Sequence, residues 1–323
     1  MKTSTDHEPD IAPAIATIDE GLPRARRRAG SQRPAWDEEP GLVVKSGKGA
    51  VLVLICLVIL GPLYTIILTS LSPQSAITAA GGLVIIPDGI TLDAYRQVLS
   101  GGVVTRAVLV SIGVTAVGTF LSVLVSVLAA YGLSRPGTFA HRPILFLLLG
   151  TMFFGAGMIP TYLLVDALHM IDTYWALILP TAVNAFNIII MRGFFQGIDQ
   201  GILESARIDG ASDWRILFQM VLPMSKAVVA VVALFYAVGY WNAFFNAILY
   251  INDSAKQPLQ VVLRSFVLQG VSVPGQVDVG SGQVATLAVQ MAVMVIALVP
   301  VVLVYPFIQR HFKSGVMIGA VNG

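Results

Sequence analysis

The chain has 323 residues and a formal net charge of +2, and 56% of its residues are hydrophobic while 12% are charged. Soluble globular proteins carry about 25% charged residues, so the composition excludes a soluble enzyme and predicts that lipid is the solvent. The single cysteine excludes an internal disulfide, and the four histidines lack the spacing of a zinc site.

The first 48 residues hold five prolines, an arginine cluster at 24–28 and no apolar run, which predicts a disordered cytoplasmic tail. The first apolar stretch starts too late and is too long for a cleavable signal peptide. We therefore expect the first membrane span itself to act as the insertion signal.

Long intervals without a charged residue follow the tail: 49–87, 107–134, 143–165, 173–191, 227–252 and 279–309. About 20 apolar residues in a helix cross a bilayer core of about 30 Å, and lipid cannot satisfy free backbone groups. We expect an all-α integral membrane protein with six transmembrane helices. Sixteen of the 20 Lys and Arg residues fall in segments on one side of such a bundle, which predicts that both termini are cytoplasmic.

Two local features are predicted within this frame. The external segment after the first span is expected to hold a short amphipathic helix over Thr91–Leu99 with Thr91 as its N-cap, and the second span is expected to begin near Val103. The third and fourth spans contain residues that break or bend a helix, namely Gly155, Gly157, Pro160 and Pro180.

The loop after the fourth span, residues 193–226, is longer than a simple connector needs to be and lies on the predicted cytoplasmic side. Its pattern predicts two short helices separated at Asp209-Gly210, with Ser212 or Asp213 as the cap of the second. Each helix is expected to have one apolar face, formed by Ile202, Leu203 and Ala206 and by Trp214, Leu217, Phe218 and Val221. Such a face has to be buried on the bundle, on lipid or in a partner's groove.

The same loop contains Glu204-Ser205-Ala206, then Gly210, then Met220 and Leu222-Pro223. This spacing resembles the coupling signature of binding-protein-dependent ABC importer permeases, with Ser205 and Met220 in place of the usual Ala and Ile. The resemblance implies the type I importer permease fold and a loop that docks in a cleft of a separate ATPase. The residues that it implies in coupling are Glu204, Ser205, Ala206, Asp209, Gly210, Ala211, Leu222 and Pro223.

Four segments resemble the carbohydrate-uptake, maltose-permease-like group of these permeases, namely Met158–Leu164, Asp209–Ala211, Trp241–Asn246 and Gly315–Ala320. This resemblance implies a sugar substrate, a heterodimer with a second permease, a cytoplasmic ATPase dimer and an extracytoplasmic solute-binding protein. We expect a permease domain over residues 49–310, with cytoplasmic tails over 1–48 and 311–323.

The chain contains no Gly-x-x-x-x-Gly-Lys-Ser/Thr segment, so it is not expected to bind ATP through a phosphate loop. ATP is then used by the partner ATPase, and we expect no catalytic residue, metal or cofactor in this chain. No nucleic-acid partner is expected.

Side-chain amides and aromatic faces bind sugars, and polar groups within spans prefer the interior or a water-filled path. The candidates for a substrate path are Tyr240, Trp241, Asn242, Phe245, Asn246, Asn184, Asn187 and Gln290. Asn242 and Asn246 are expected to share one helix face, as are Asn184 and Asn187. Amides also join helices by interhelical hydrogen bonds, so a structural role stays open for these residues.

Three other functions stay open. The first is an ABC permease for a solute other than a sugar, such as an amino acid or a polyamine. The second is an ion-coupled secondary transporter, which normally has ionisable groups within its spans and repeated halves, and neither is evident in the sequence. The third is a membrane scaffold or sensor, for which the coupling spacing would serve no purpose.

Overall fold

The computed structural model describes residues 42–135, 137–269 and 287–319, and all regular structure in these ranges is helical. The α-helices in chain order are α1 (Leu42–Ser70), α2 (Gln74–Ala79), α3 (Asp93–Leu99), α4 (Val103–Ser134), α5 (His141–Phe153), α6 (Met158–Ala167), α7 (Trp175–Ile178), α8 (Ala185–Gln196), α9 (Gln200–Ile208), α10 (Asp213–Ile216), α11 (Leu222–Met224), α12 (Lys226–Trp241), α13 (Phe245–Tyr250), α14 (Leu259–Gln269) and α15 (Leu287–Gly319). Short 3-10 segments cover Leu179–Thr181 and Ser254–Lys256, and a π-helical turn covers Leu217–Val221.

The chain divides into two compact units, residues 1–57 and 58–323. In the first unit, α1 begins at Leu42 and therefore inside the segment that was predicted to be a disordered tail up to residue 48. Residues 1–41 of that tail lie outside the described residues. At the other end of the chain, α15 continues to Gly319 and thus into the predicted tail over 311–323. A helix can continue past the lipid where its side chains reach water.

Three of the described helices, α1, α4 and α15, are each long and apolar enough to cross a membrane. Counting three bent helix pairs as one span each raises the total among the described residues to as many as six. The pairs are α5 with α6, α7 with α8, and the segment Asp213–Met224 with α12. This arrangement is consistent with the predicted six-helix fold of a type I importer permease.

The predicted helix breaks in the third and fourth spans coincide with sharp bends. The chain bends by 118° between α5 and α6, and the residue before α6, Gly157, has a φ of +82°. α7 and the 3-10 segment that contains Pro180 meet α8 at 52°. Glycine adopts positive φ without strain and proline lacks a backbone donor, so both residue types interrupt helices at these places.

The second unit is centred on α4, which packs most extensively against α12 and α8. Gly118 lies where α4 meets α12, because a Cβ built on it would lie 2.8 Å from the ring of Tyr240. Helices in membranes approach this closely where one of them presents a small residue. A separate cluster of buried side chains joins α14 and α15 to Trp241.

The external helix begins later than predicted. α3 starts at Asp93 with Leu92 as its N-cap, and no side chain caps it, so Thr91 is not the cap. The backbone N–H of Thr91 instead donates to the carbonyl of Leu71 at 2.7 Å, which fixes this residue to the end of the first span. The carboxylate of Asp93 in the first turn favours the observed start, since an acid is stabilised at a helix N-terminus.

Candidate functional site

The predicted coupling loop is folded around one glycine. Beyond the end of α9, the N–H of Ala211 donates to the carbonyl of Ala206 at 2.9 Å, and the N–H of Gly210 donates to the carbonyl of Arg207 at 3.0 Å. These two hydrogen bonds are the pattern that ends a helix when the residue after the C-cap has a left-handed backbone conformation. Gly210 has a φ of +79°, and no atom lies within 4 Å of where its Cβ would be. The glycine is therefore required by backbone conformation and not by space.

The second helix of the loop starts at Ser212, one of the two predicted caps, whose Oγ accepts a hydrogen bond from the N–H of Arg215 at 3.4 Å. The helix passes through the π-helical turn into α11, which contains the predicted Leu222-Pro223. The segment Asp213–Met224 is bent by 85° relative to α12. The loop thus leaves the axis of the fifth span almost at a right angle.

The apolar face predicted for this second helix is not buried as one surface. Leu217 and Val221 are buried in the main core, whereas Trp214 and Phe218 are exposed and stack with ring centroids 6.1 Å apart. The π-helical turn that begins at Leu217 has more residues per turn than an α-helix, so it changes the direction of the following side chains. Of the four residues predicted to form this face, Leu217 and Val221 are thus buried on the bundle, and Trp214 and Phe218 are left exposed.

Several side chains of the loop lie on its surface. Glu204 is exposed on α9, while its neighbour Leu203 is buried. Ile208 is 87% exposed and Trp214 is 63% exposed. Trp214 also stacks on the exposed Phe218, and contiguous exposed apolar patches mark surfaces that interact with a protein or a membrane.

The loop is fastened to the end of α4. The carboxylate of Asp213 pairs with the guanidinium of Arg135 at 2.5 Å, and the backbone carbonyl of the same Asp213 accepts a hydrogen bond from the hydroxyl of Tyr131 at 3.1 Å. The Arg135 guanidinium also hydrogen-bonds the Tyr131 hydroxyl and lies 4.2 Å from the centroid of its ring. These contacts fix the first residue of α10 to the last turn of α4.

Six of the eight substrate-path candidates line a cavity of about 560 Å³. Volumes of about 300–1,000 Å³ are typical of small-molecule sites. Three segments supply the wall, namely the break between α7 and α8, the second half of α12, and the break before α13. The lining residues are Leu177, Thr181, Asn184, Phe186, Asn187, Phe235, Tyr236, Gly239, Tyr240, Asn242, Ala243, Phe244, Phe245 and Asn246.

Two tyrosines of α12 hold the cavity wall together. The Tyr240 hydroxyl donates to the Ile178 carbonyl at 3.1 Å and lies 2.8 Å from the Oγ of Ser122. The Tyr236 hydroxyl accepts from the backbone N–H of Asn184 at 3.2 Å and lies 2.8 Å from the Oγ of Ser126. Both tyrosines are buried, and their hydroxyls satisfy backbone groups that the break in the fourth span leaves free.

The four asparagines of the cavity differ in what their amides already bind. Asn184 caps α8, because its Oδ1 accepts from the N–H of Asn187 at 3.1 Å, and the amide of Asn242 donates to the Val238 carbonyl at 2.9 Å. Within the described residues, the side-chain amides of Asn187 and Asn246 form no hydrogen bond. These two amides therefore keep all their donors and acceptors for a ligand, whereas those of Asn184 and Asn242 are each partly engaged.

The predicted pairing of Asn242 with Asn246 on one helix face was wrong in its geometry. α12 ends at Trp241 and α13 begins at Phe245, so the two amides sit on either side of a helix break. Both nevertheless line the cavity. Asn184 likewise precedes α8 as its cap while Asn187 lies in its first turn, and both reach the same cavity.

Two of the candidates lie outside the cavity wall. Trp241 is buried, and its Nε1 donates to the carbonyl of Ala297 on α15 at 3.1 Å, so it joins two helices. Gln290 belongs to α15 and is not among the lining residues. Both were candidates because each carries a polar atom within a predicted span. In Trp241 this atom joins two helices by a hydrogen bond.

Several lining residues were not among the candidates. Phe235, Gly239 and Asn242 follow one another at four- and three-residue spacing, which places them on one face of α12 next to the cavity. This spacing is visible in the sequence and could have identified Phe235. Phe186 and Thr181 have no comparable signal, because they reach the cavity only through the bend between α7 and α8.

One cation touches the cavity wall from the side of α14. The guanidinium of Arg264 lies 5.3 Å from the centroid of the Phe244 ring, and Phe244 lines the cavity. The Arg264 side chain is exposed and forms no ion pair within the described ranges. The lining residues themselves carry no ionisable acid or base other than tyrosine.

A polar clamp joins two loops that belong to the predicted external side. Asp172 has a left-handed φ of +60°, and its carboxylate accepts from the N–H groups of Asn252 and Asp253 at 3.1 and 3.0 Å and from the ammonium of Lys256 at 3.0 Å. The N–H of Asp253 and the ammonium of Lys256 hold the pKa of Asp172 below its ordinary value. The carboxylate in turn raises the pKa of Lys256.

The chain is similar to several known proteins. A family model described as binding-protein-dependent transport system inner membrane component matches residues 107–318. The chain is 49% identical to the polygalacturonan/rhamnogalacturonan transport system permease protein YtcP of Bacillus subtilis (strain 168), over 74% of this chain and 85% of that protein. It is 42% identical to the protein LplC of the same organism, over 86% of this chain and 92% of that protein.

A solved structure is also similar. A chain in the crystal structure of a bacterial ABC transporter involved in the import of the acidic polysaccharide alginate matches with a TM-score of 0.76 and 32% identity. The match covers 84% of this chain and 96% of that chain.

Proposed function

Because the chain belongs to the family of binding-protein-dependent transport system inner membrane components, we propose that it forms part of the path by which an ABC importer moves a sugar or oligosaccharide inward. The chain is a multi-pass membrane permease, and its relatives are transport permeases. The observation that carries the substrate proposal is the cavity, whose wall combines asparagine amides with aromatic rings. Amides offer paired donors and acceptors to hydroxyl groups, and aromatic faces cover the apolar side of a sugar ring.

The proposed source of energy is a separate cytoplasmic ATPase dimer that docks on the coupling loop. The exposed Glu204, Ile208 and Trp214 support this docking, and the fixed turn at Gly210 aims α9 and α10. A second permease would complete the membrane channel, and an extracytoplasmic solute-binding protein would deliver the sugar. In this proposal ATP binds to the partner, and this chain holds neither a cofactor nor a catalytic residue. Both termini lie in the cytoplasm, as the distribution of Lys and Arg favours.

Within the carbohydrate class, we propose that acidic oligosaccharides are substrates. A relative with 49% identity is named for polygalacturonan and rhamnogalacturonan, and a structure with 32% identity is that of an alginate importer. In this chain, the guanidinium of Arg264 beside Phe244 is the charge available to meet a carboxylate at the cavity wall. A carboxylate gains more from a guanidinium than from a neutral amide, since charge-assisted hydrogen bonds are the stronger kind.

The test is uptake by the complete transporter, purified through a tag on this chain and reconstituted in vesicles with ATP inside. Galacturonate oligomers, neutral arabinose oligomers, raffinose and a free amino acid are offered in turn. We expect ATP-dependent uptake of the galacturonate oligomers, and Arg264→Gln should lower it several-fold without lowering ATP hydrolysis. Arg96→Gln is the matched control, because Arg96 is an exposed external arginine in a pair with Asp93 and outside the cavity.

Uptake of the amino acid alone would overturn the sugar proposal, and uptake of neutral oligomers alone would overturn the acidic class. Membrane orientation is tested separately in a variant that lacks the native Cys56. A cysteine at Gly81 or Gln257 should react with an impermeant maleimide in intact cells, whereas one at Ser212 should react only after permeabilisation. Labelling of Ser212→Cys from outside would contradict both the topology and the docking of the ATPase.

A further inference from the structure

One uninterrupted helix touches both functional regions. α4 extends over Val103–Ser134 as one continuous helix without a proline. Near its middle, the hydroxyls of Ser122 and Ser126 are fully buried against the tyrosines of the cavity wall. At its end, Tyr131 and Arg135 hold the first residue of α10. Ser122 and Tyr131 are nine residues apart, which is about 14 Å along a helix.

The contacts at the middle of α4 lead directly to the bend in the fourth span. Because the Tyr240 hydroxyl has one proton and donates it to the Ile178 carbonyl, Ser122 has to be the donor in its bond to Tyr240. The second tyrosine, Tyr236, accepts from the N–H of Asn184, which caps α8. The two halves of the bent span are thus each connected to α4 through one tyrosine hydroxyl.

The contact at the end of α4 is equally specific. It combines an ion pair, a hydrogen bond to a backbone carbonyl and a guanidinium stacked on an aromatic ring, all around Asp213. The end of α4 is also bonded to α8, because the Nε of Arg192 donates to the Leu133 carbonyl at 2.8 Å. A displacement of α10 therefore cannot leave the end of α4 in place unless these contacts break.

We propose that α4 moves as one rigid helix, a connecting rod, and transmits movement of the coupling loop to the cavity. Tyr131 and Arg135 form its input contacts with the loop, and Ser122 and Ser126 form its output contacts with the cavity wall. Helix shifts and rigid-body rotations are common in switching transitions, and a helix that moves in this way carries a shift at one end to the other. At the output, a shift of α4 pulls on Tyr236 and Tyr240 and changes the angle between α7 and α8, which line the cavity. This inference rests on the proposed function in one respect only, namely that an ATPase moves the loop.

The variants that separate transmission from folding change one polar atom per residue and nearly keep the volume of each side chain. Two double variants remove the hydroxyls that form the output contacts, namely Tyr236→Phe with Tyr240→Phe and Ser122→Ala with Ser126→Ala. Asp213→Asn weakens the input. Ser134→Ala is the control, because its Oγ bonds only the Tyr131 carbonyl of the same helix at 2.8 Å. Membrane levels of all variants are measured first, and only variants that assemble with their partners are compared.

The readout does not need a sugar. A cysteine replaces Asn242, an exposed lining residue, in a variant without Cys56, and its rate of maleimide labelling is measured in the reconstituted complex with and without ATP plus vanadate. We expect the nucleotide to change the labelling rate in the parent and in Ser134→Ala, and the output variants to lose at least two thirds of that change. ATP hydrolysis should continue in the output variants, so that less sugar is transported for each ATP.

Equal nucleotide responses in the parent and in assembled output variants would overturn the proposal, as would a parent that does not respond.

A double-variant cycle gives a second test. Effects at independent sites this far apart multiply, whereas two breaks in one rod do not. Asp213→Asn combined with Ser122→Ala should therefore be no worse than the more severe single change, and multiplication of the two effects would contradict the rod. If the nucleotide changes the labelling rate but no oligosaccharide is taken up, the proposal for α4 is upheld and the proposed substrate is wrong.

Discussion

The coupling loop and the cavity wall are opposite solutions to the placement of polar and apolar groups. In the loop, apolar side chains such as Ile208 and Trp214 are exposed, and the backbone is fixed by local bonds around Gly210. In the cavity wall, polar groups such as Tyr236, Tyr240 and Asn187 are buried, and segments far apart in the chain are joined by side-chain bonds. The loop exposes apolar side chains that a partner protein can cover, and the cavity wall contains amides that form no hydrogen bond in the described structure and that a ligand can bind.

This difference predicts how the two regions respond to substitution. A change at an exposed residue of the loop should leave the bundle intact and affect coupling to the ATPase, because its side chain is not part of the buried core. A change in the wall should affect either substrate affinity or stability, depending on whether the amide is already used by the backbone.

The largest effect is expected for Gly210→Val. Other residues are strained at the observed φ of +79° by about 1 kcal/mol or more, and a β-branched residue is among the least tolerant. The turn should rearrange and mis-aim α9, so that transport falls more than tenfold while the protein still reaches the membrane. Uptake and membrane level are measured together.

The control for this prediction is Gly81→Val. Gly81 has a φ of +71° and equally open surroundings, but it lies in the predicted external segment. It introduces a similar strain without touching the coupling loop. If the two valine variants lose the same share of transport, strain alone explains the loss and the comparison between regions fails.

The next effect is expected for the exposed side chains of the loop. Glu204→Ala should remove a charged hydrogen bond to the ATPase, of the kind worth about 1.5–3 kcal/mol, and weaken ATPase binding by about tenfold or more. Ile208→Ser should weaken binding by a smaller factor. Retention of the ATPase is measured by co-purification with the tagged chain. Phe139→Ser is the control, because Phe139 is 92% exposed on the other predicted cytoplasmic turn.

The amides of the cavity should divide into two groups. Asn246→Ala and Asn187→Ala each remove an amide without a hydrogen bond in the described structure, so they should raise the KM for the sugar by about fivefold, equivalent to about 1 kcal/mol. Asn184→Ala removes the cap of α8 and should instead lower stability by about 1 kcal/mol. Thermal unfolding in detergent and the uptake KM separate the two. A loss of stability without a change in KM for Asn246→Ala would show that its amide is structural.

The smallest effect is expected at the Asp172 clamp. The pKa of Asp172 is lowered, so its contribution is present above its ordinary pKa and is lost as the pH falls through the lowered value, below about pH 4. The pKa of Lys256 is raised, so its contribution is present below its ordinary pKa and is lost only at more alkaline pH, above about pH 10.

Asp172→Asn should therefore lower the Tm by a few degrees at most, and by the same amount between about pH 5 and pH 9. The measurement is a series of thermal unfolding scans in detergent. Asp253→Asn is the comparison, because its carboxylate lies farther from the ammonium of Lys256, at 3.9 Å. A Tm difference that varies within this pH range would show that another group titrates with the clamp.

Features set by local residue types could be predicted from the sequence. The break at Gly210, the cap at Ser212, the bend after Pro180 and the start of the second span at Val103 all depend on neighbours within one or two turns. The six-helix fold follows from charge segregation, because ionised groups are excluded from the lipid. The spacing from Glu204 to Pro223 is recognisable in the sequence for the same reason, because the turn and the cap in this loop depend on neighbouring residues.

Features set by long-range contacts could not be predicted. Asn242 and Asn246 were placed on one helix, and the break between them is not signalled by a proline or a glycine. Trp241 was taken for a cavity residue, yet only the position of α15 decides that its Nε1 meets Ala297. The exposure of Phe218 likewise depends on a π-helical turn that no residue in Leu217–Val221 announces.

Gly118 has a consequence for how the sequence of this permease can diversify. The ring of Tyr240 occupies the space where a side chain at position 118 would begin, although the two positions are more than a hundred residues apart in the chain. An alanine at 118 requires the ring of Tyr240 to shift or to be replaced by a smaller side chain, and either change disturbs the hydroxyl that Ile178 and Ser122 share. The two positions are therefore expected to change together or not at all as the chain adapts to a new cargo.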